Sequence, residues 1–446
     1  MAVVLGVLLW PWPDGTDMGI VRVGAAILAT IVLYLTQIVP EYLTSFAFML
    51  LAVIFGFAPS EVAFSGFQTS AVWLLFGGLF ISVAVRHAGL DEQIGALAGG
   101  FAKLRYPTLI FAIVFAGLAA GFFLPATISR IIILLPLAYA LSTRIGFTAG
   151  SPGRMGMALA MGLGTFYPTM GLLPANMPVV AMAGAVEAVH GLSITFGEYM
   201  LWHFLILSIV KAILLGTIII YMFPDKRPEL SETDIPAKFK LNAHQGRVIF
   251  LLAATLALWA TDFVHGIAPG YVALLAAMII LVPGFGFAPK DTLGNTDLSV
   301  IFHLAGVMAV GAVVDHTGLG KVVAGFLIDI ANPIPGHNMF NFASLSLISS
   351  LLSAVTTSPG NPAVFAPIAQ DLATATGFSL KTVVMIGFVG MANPILPYLA
   401  PPIIVTYVMV GMPVRTGLKL VALMWVCTTL LLWPLVFIYW RFIDLI

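Results

Sequence analysis

The feature that most constrains this chain is an apolar stretch, residues 122–136, that contains groups an apolar helix does not readily accommodate. Pro125, Thr127, Ser129 and Arg130 fall within it. Proline removes a helical hydrogen bond, and an arginine at the centre of a membrane helix costs at least about 2.5–3.5 kcal/mol on insertion scales. Backbone that breaks at membrane depth must be buried in protein or line a wet cavity, because lipid offers its polar groups no partner. The stretch is therefore the first place to expect a bound solute.

The composition places this stretch in a membrane protein. Of the 446 residues, 60% are hydrophobic and 9% are charged, whereas soluble domains are about 25% charged. The formal net charge is zero and no basic run is interleaved with aromatics, so nucleic acid is not predicted as a partner. The single cysteine, Cys427, lies in an apolar run, which predicts neither a disulfide framework nor a thiolate metal site.

Apolar runs long enough to cross a bilayer recur along the chain. We predict an all-α polytopic fold with eleven membrane spans and two re-entrant helix–turn–helix hairpins. Residues 1–12 are interpreted as a first span and not as a signal peptide, because no charged leader precedes them. The spans are predicted at residues 1–12, 19–38, 41–58, 70–86, 155–184, 198–222, 248–266, 270–288, 298–315, 380–411 and 417–440, and the hairpins at 107–143 and 339–376.

The only long polar segment, residues 224–247, divides the chain into two parts. Its lysines and arginines predict a cytoplasmic linker and a multi-pass protein of the inner (plasma) membrane. Counting spans outward from this linker puts the mouth of the first hairpin inside and that of the second outside. Residues 1–223, which include the extra segment 1–12, form the first part, and residues 248–446 form the second.

The two parts are related in sequence. Motifs recur at a constant spacing of 229 or 230 residues, and the matching positions include Pro40 with Pro269, Pro59 with Pro289, His87 with His316, and Thr127 with Thr356. Each part has an odd number of crossings, so the second copy is predicted to be inverted relative to the first. Inverted repeats with broken helices that meet near the midplane are typical of secondary transporters.

Each repeat offers a solute two kinds of contact, a polar hairpin tip and a proline-rich break in a later span. Breaks expose helix ends, which hold ions without formal charge. A single hydroxyl in a membrane helix more often bonds back to its own carbonyls, but two clusters at matching places favour a site. The predicted substrate-binding residues are Thr127, Ser129, Arg130, Thr356, Thr357, Ser358, Asn361, Pro174, Asn176, Pro401 and Pro402.

Ionisable groups within or beside the spans each have more than one interpretation. The planar fork of Arg130 is expected to anchor an anion, and the alternative is that it pairs with a buried acceptor for structural reasons. Lys211 is expected to pair with a helix C-terminus or to snorkel. Packing or a single hydrogen bond is expected for the histidines, and a proton-coupling role is the less favoured interpretation for the carboxylates at span ends. These residues are His87, His303, His316, Glu41, Asp262 and Asp315.

Several motifs resemble those of a known family. The most specific is the run Trp-Leu-Leu-Phe-Gly-Gly at residues 73–78, supported by Thr-Gln-Ile-Val-Pro at residues 36–40 and by hairpins that close at Pro136 and Pro367. Over nearly its whole length the chain resembles the divalent anion/sodium symporter family of the ion transporter superfamily. The resemblance implies a homodimer in which a scaffold holds the interface while a transport domain carries the anion across as an elevator.

The chain departs from this family at both tips. There the family has Ser-Asn-Thr, which contacts a substrate carboxylate and lines a sodium site, whereas the matching positions here are residues 126–128 and 357–359 and lack asparagine. A bound sodium would be sought near Ala126, Thr127, Thr357 and Ser358. Arg130 is expected to supply fixed positive charge in place of sodium, which suits an exchanger, a proton-coupled carrier or a passive carrier.

The preferred hypothesis is a secondary transporter of small anions, either a dicarboxylate, another organic acid or an inorganic oxyanion. No zinc signature, nucleophile elbow or phosphate-binding glycine loop argues for an enzyme. The expected partners are the anion, the bilayer and a second copy of the chain, with Na⁺ or H⁺ as the only candidate coupling ions and no other cofactor. The alternatives are a cation/proton antiporter of the same superfamily and a non-transporting membrane scaffold or subunit.

Overall fold

A computed structural model describes residues 18–36, 38–90, 104–124, 126–226 and 242–446. Within these ranges the chain is helical and contains no β-strand. The predicted span 1–12 and most of the predicted linker lie outside the described residues. We number the helices of ten or more residues as follows: α1 Met18–Thr36, α2 Glu41–Ile54, α3 Ser70–His87, α4 Tyr106–Ala120, α5 Thr127–Arg144, α6 Pro152–Gly164, α7 Met177–His190, α8 Phe196–Met222, α9 Ala243–Ala260, α10 Pro269–Leu281, α11 Ser299–His316, α12 Leu319–Ala331, α13 Asn338–Thr356, α14 Pro362–Thr376, α15 Leu380–Met391, α16 Pro401–Val410 and α17 Val414–Phe442.

Six of these helices, α3, α8, α9, α11, α13 and α17, are long and apolar enough to cross a membrane alone. A seventh crossing arises if α14 and α15, which are bent by 118° at their junction, form one broken span. The apolar stretches of the other helices, such as Met18–Tyr34 in α1 and Thr127–Thr143 in α5, have 10–17 residues. A multi-pass helical membrane protein is therefore confirmed, but the predicted count of eleven spans is not.

The count differs because prolines and glycines interrupt several predicted spans. The predicted span 155–184 is two helices, α6 and α7, joined by the 3₁₀ turns Pro168–Gly171 and Leu173–Ala175. The predicted span 380–411 is likewise α15 and α16 joined by the turn Pro397–Leu399. Each proline inside the break lacks an N–H, so a continuous ladder of helical hydrogen bonds cannot form there.

The helices pack as two groups. The frame helices, α1, α2, α3, α9, α10 and α11, contact one another chiefly through the pairs α3 with α10 and α2 with α11. The hairpin helices, α4, α5, α6, α8, α13, α15, α16 and α17, form a second group. Helices α7 and α14 touch both groups, α7 through α3 and α11, and α14 through α11. The boundary between the groups is where a cavity opens.

Glycines allow the closest contact within the frame helices. A Cβ on Gly77 would collide with the backbone of Ala273, and a Cβ on Gly270 would collide with the backbone of Ser70. Membrane helices associate through such small residues because lipid supplies no hydrophobic drive between them. Gly77, in the family-like run at residues 73–78, therefore has a packing role in the frame.

The order of the elements repeats. Ser70–His87 and Ser299–His316 both have 18 residues, and each is followed by a hairpin, a broken helix and a long last helix. Both last helices contain a π-helical segment, at Phe204–Val210 and Thr428–Leu432. The inversion of the second half and the domain boundaries at 223 and 247 stay predictions.

Helix α12 was not predicted. It buries Gly320 and Ala324 against its neighbours and leaves Val322, Phe326 and Ile330 exposed. This pattern is typical of an amphipathic helix, and its 13 residues are too few to be recognised as a spanning segment.

Candidate functional site

Both hairpin tips and both breaks border one cavity of about 330 Å³. The first tip joins α4 to α5, and the second joins α13 to α14. Of the predicted residues, those that line this cavity are Thr127, Ser129, Pro174, Asn176, Ser358, Pro401 and Pro402, together with Ala126. The opposite wall comes from the frame helices and the segment before α11, and consists of Leu75, Leu79, Asp297 and Val300.

The remaining predicted residues lie beside this cavity or behind it. Thr357 lines a neighbouring cavity, while Arg130, Thr356 and Asn361 are buried. The Thr356 hydroxyl donates to the Leu352 carbonyl at 2.8 Å, so it bonds back to its own helix.

Three helices begin at the cavity without a side-chain cap. Ala126, Asn176 and Ala400 are the N-cap residues of α5, α7 and α16, and none of them accepts a hydrogen bond from its helix through its side chain. The first N–H groups of a helix have no partner within it and carry about half a unit of positive charge. Pro178 in α7 and Pro401 and Pro402 in α16 lack an N–H, so these two termini offer fewer backbone donors than α5 does. The dipoles of the three helices still favour an anion in the cavity, whose lining contains no lysine, arginine or histidine among the described residues.

Arg130 lies behind the first tip. Its side chain is completely buried, and its two terminal nitrogens donate to five oxygens while Nε has no partner among the described residues. These oxygens are the carbonyls of Leu124, Thr165 (2.8 Å) and Ala175 (2.9 Å) and the hydroxyls of Thr127 (3.1 Å) and Thr169 (3.3 Å). The guanidinium therefore ties the tip to the break, and direct contact with an anion stays a prediction.

The first tip is also held by its own threonine. The Thr127 hydroxyl lies 2.6 Å from Asn176 Oδ1 and 3.0 Å from the Ala175 carbonyl. The Asn176 Nδ2 group donates to Thr169 Oγ1 at 2.7 Å. Because these groups are buried, losing one partner would leave a polar atom unsatisfied. The Thr127 hydroxyl and the terminal nitrogens of Arg130 are thus bonded to the protein, whereas Ser129 lines the cavity.

The second tip is held mainly through its backbone. The Ser358 N–H donates to the Leu399 carbonyl at 3.0 Å, and Asn361 Nδ2 donates to the Ser349 carbonyl at 2.6 Å. Ser358 Oγ, Asn361 Oδ1 and, at the neighbouring break, Asn393 Oδ1 are buried, and none of them has a hydrogen-bond partner among the residues that the structure describes. Such orphaned oxygens are rare in native proteins and point to a bound ligand or water.

Thr357, at the turn of the second tip, has an unusual backbone. Its φ is 71° and its ψ is 164°, a region that is almost restricted to glycine. A β-branched residue held there stores strain, which is tolerated only where the surrounding structure fixes the turn.

A second buried cation lies at the second break. Lys211 in α8 is completely buried, and its Nζ donates to the Ala392 carbonyl at 2.6 Å and lies 5.4 Å from the ring centre of Tyr167. Ala392 is the C-cap of α15, as Thr165 is the C-cap of α6. The sequence-based alternative in which Lys211 pairs with a helix C-terminus is confirmed. A side-chain cation therefore contacts the broken helix end in each half.

Asp297 is the only carboxylate in the cavity lining among the described residues. Its Oδ1 accepts from the Ser299 N–H at 2.9 Å, and hydrogen bonds from Ser299 hold its pKa below the usual range. It therefore remains ionised at neutral pH on the side of the cavity opposite the tips.

Comparison with known proteins agrees with this architecture. The family described as "Sodium:sulfate symporter transmembrane region" matches residues 1–446. An uncharacterised transporter of Haemophilus influenzae is 23% identical over 396 residues, covering 85% of this chain and 83% of that protein. An L-tartrate/succinate antiporter of Escherichia coli is 24% identical over 348 residues, covering 73% and 68%. The crystal structure of the Alcanivorax borkumensis YdaH transporter shares the fold with a TM-score of 0.53 at 14% identity, covering 86% and 88%.

Proposed function

The chain belongs to the sodium:sulfate symporter family of membrane transporters, and from that premise we propose that it exchanges small dicarboxylate-type anions without sodium. The observation that carries the proposal is the cavity between the two tips, which three uncapped helix N-termini border and no side-chain cation lines. Backbone N–H groups and hydroxyls suit a carboxylate, since they donate hydrogen bonds without a counter-charge. The name of the Escherichia coli relative supports dicarboxylates and exchange.

Sodium independence rests on the two buried cations. A helix C-terminus at a break carries negative partial charge, and in transporters such ends coordinate coupling cations. Here Arg130 contacts the Thr165 carbonyl and Lys211 contacts the Ala392 carbonyl. Each broken helix end is thus occupied by a positively charged side chain in place of a bound sodium ion. A carrier that does not bind sodium is expected to return across the membrane with a counter-anion bound.

The proposed motion is an elevator. The frame helices supply one wall of the cavity, and the tips and breaks of the hairpin helices supply the other. A displacement of the hairpin helices along the frame would carry the solute without opening a continuous pore. The frame is also the proposed contact between two copies in a homodimer, and the inner membrane is the proposed location.

The function is tested with purified protein in liposomes, by uptake of labelled L-tartrate or succinate against internal unlabelled anion. We expect exchange that is equal in sodium and in choline buffers, and no uptake into anion-free liposomes. Uptake only with sodium would contradict sodium independence. A proton flux driven by cations alone would support a cation/proton antiporter, and no flux of any kind would support a scaffold.

Ser129 offers a matched pair of variants for the cavity. It lies in the first turn of α5 and lines the cavity, and its hydroxyl makes no hydrogen bond with the described residues. In Ser129→Asp a carboxylate favours the helix N-terminus and competes with the solute there. We expect exchange to fall at least about tenfold in Ser129→Asp, the equivalent of about 1.4 kcal/mol, and to change little in the neutral Ser129→Asn. Equal activity of the two variants would place the anion elsewhere.

A further inference from the structure

A second cavity, of about 370 Å³, lies on the other side of the second tip. It shares Pro359 and Pro401 with the cavity between the tips, so only these two residues and their neighbours separate the two spaces. Its walls contain Thr357 of the tip and a cluster of titratable groups on the frame helices and the break. These groups are Tyr34 of α1, Glu41 of α2, His303 of α11 and Tyr398 at the second break.

The centre of this cluster is a histidine–carboxylate pair. His303 Nε2 lies 3.8 Å from Glu41 Oε2. His303 is 5% exposed, and the Tyr34 ring packs edge-on against it with ring centres 4.8 Å apart. The Tyr34 and Ser45 hydroxyls bond to each other at 2.8 Å, and the close packing of Gly306 on Ser45 fixes α2 against α11. The pair is therefore held on a rigid surface that faces the second tip.

The other ring nitrogen of His303, Nδ1, is buried and has no hydrogen-bond partner within the described part of the chain. In neutral histidine one nitrogen donates and the other accepts. With its hydrogen on Nε2, directed at Glu41, the neutral ring leaves Nδ1 as an unfilled acceptor. A second proton would make Nδ1 a donor, and a buried charged donor needs an acceptor close by.

We propose that this second cavity is a proton-gated entry site for the transported anion, an inference that rests on the proposed function. One proton from water binds the His303 ring, and the resulting imidazolium neutralises the charge of Glu41, so the wall of the cavity no longer repels a carboxylate of the entering solute. Without the proton, the pair carries the negative charge of Glu41 and repels the anion. Proton and anion then favour each other's binding by the same factor.

The gate differs from a coupling site. His303 and Glu41 belong to the frame helices, so in an elevator the proton stays behind when the solute moves. The proton therefore changes the rate of exchange and not its driving force. Glu41 is the only charged group on the elements packed against α11 that lines this cavity among the described residues. The others on these elements are Glu61, Arg86, Glu187, Lys321, Asp329 and Asp371. Glu61 is exposed, and Glu187 accepts from the Ser70 N–H at 2.9 Å.

The test is L-tartrate exchange in liposomes with equal pH on both sides, measured from about pH 5.5 to about pH 8, the window in which histidine titrates. We expect the wild-type rate to rise at least about fivefold from the alkaline to the acidic end. His303→Gln should have a rate that is constant within about twofold. Glu61→Gln is the control and should keep the wild-type rate and profile.

Glu41→Gln provides an independent measurement, because glutamine keeps the size of this half-exposed side chain and removes its charge. A carboxylate this close favours the protonated ring, so its removal should shift the midpoint of the profile about one pH unit lower or more. A wild-type profile in His303→Gln, an unshifted midpoint in Glu41→Gln, or a pH-independent wild type would overturn the gate. Absence of exchange at every pH in the wild type would instead refute the proposed function.

Discussion

The two hairpin tips occupy matching places in the two halves of the chain, yet their polar groups have different partners. At the first tip, Arg130 and Thr127 are bonded to the adjacent break. At the second, Ser358 Oγ and Asn361 Oδ1 have no partner. Satisfied buried groups hold a structure rigid, whereas orphaned ones leave room for a ligand or a rearrangement. The difference indicates that the first tip is a fixed part of the site and that the second is the part that responds to the solute.

Replacing Arg130 should have the largest effect, because three buried carbonyls would lose a charged donor. For Arg130→Leu we expect the free energy of unfolding to fall by about 3 kcal/mol or more, since an unsatisfied buried group costs about 1–3 kcal/mol. The measurement is thermal unfolding of detergent-purified protein, with the exposed Arg86→Leu as control. Equal melting temperatures for the two variants would mean that the first tip is not held by its guanidinium.

Replacing Arg130 with alanine also tests whether the guanidinium occupies the place of a bound sodium ion. Arg130→Ala would leave a cage of five protein oxygens, the type of ligand that sodium prefers. We expect sodium, compared with choline, to raise the melting temperature of this variant and not that of the wild type, since a ligand of the native state stabilises it. An equal sodium response in both proteins would contradict a fixed charge in place of the ion.

The two tip hydroxyls should respond in opposite ways. Thr127→Val removes a hydrogen bond to buried acceptors and should lower stability by about 1 kcal/mol. Ser358→Ala removes an unpartnered hydroxyl, so stability should be unchanged while the apparent affinity for the anion falls about threefold to tenfold. Thermal unfolding and concentration-dependent exchange measure the two effects. A loss of stability in Ser358→Ala as large as that in Thr127→Val would remove the contrast between the tips.

Lys211 should matter less for stability than Arg130. Lys211→Met leaves one carbonyl, that of Ala392, without its donor, but it also removes a charge that was costly to bury, so the net loss should be about 1 kcal/mol. Exchange should fall further than stability does, because the fixed charge at the second break is lost. The control is Lys419→Met on the exposed face of α17. If the exchange rate of Lys211→Met is unchanged, only Arg130, in the first half, can replace sodium, and the charge of Lys211 has no part in transport.

The smallest effect is expected at Thr357. Thr357→Gly removes the backbone strain of the positive φ, but glycine also raises the conformational entropy of the unfolded chain. The net effect should be a stabilisation of about 0.5–1 kcal/mol. Thr356→Gly, one residue earlier and still helical, should destabilise it instead. Thermal unfolding of the pair reports the strain. Destabilisation by both variants would mean that the second tip is unstrained.

Local chemistry made much of this fold predictable. The hairpins were predicted at 107–143 and 339–376, and their helices run from Tyr106 to Arg144 and from Asn338 to Thr376. The breaks lie among the prolines that predicted them. Helix α12 and the two π-helical segments were missed, because the first has mixed polarity and the others carry no local sequence signal.

The membrane embedding, the repeat and the broken helices were therefore determined by the sequence itself, since hydropathy and proline act within a few residues. The tertiary structure decided which oxygens surround Arg130, that Lys211 reaches across to Ala392, and that Glu41 faces His303. It also decided which tip hydroxyls have partners. These contacts join residues that are remote along the chain, and a hydrogen bond depends on tenths of an ångström that only the packed helices fix.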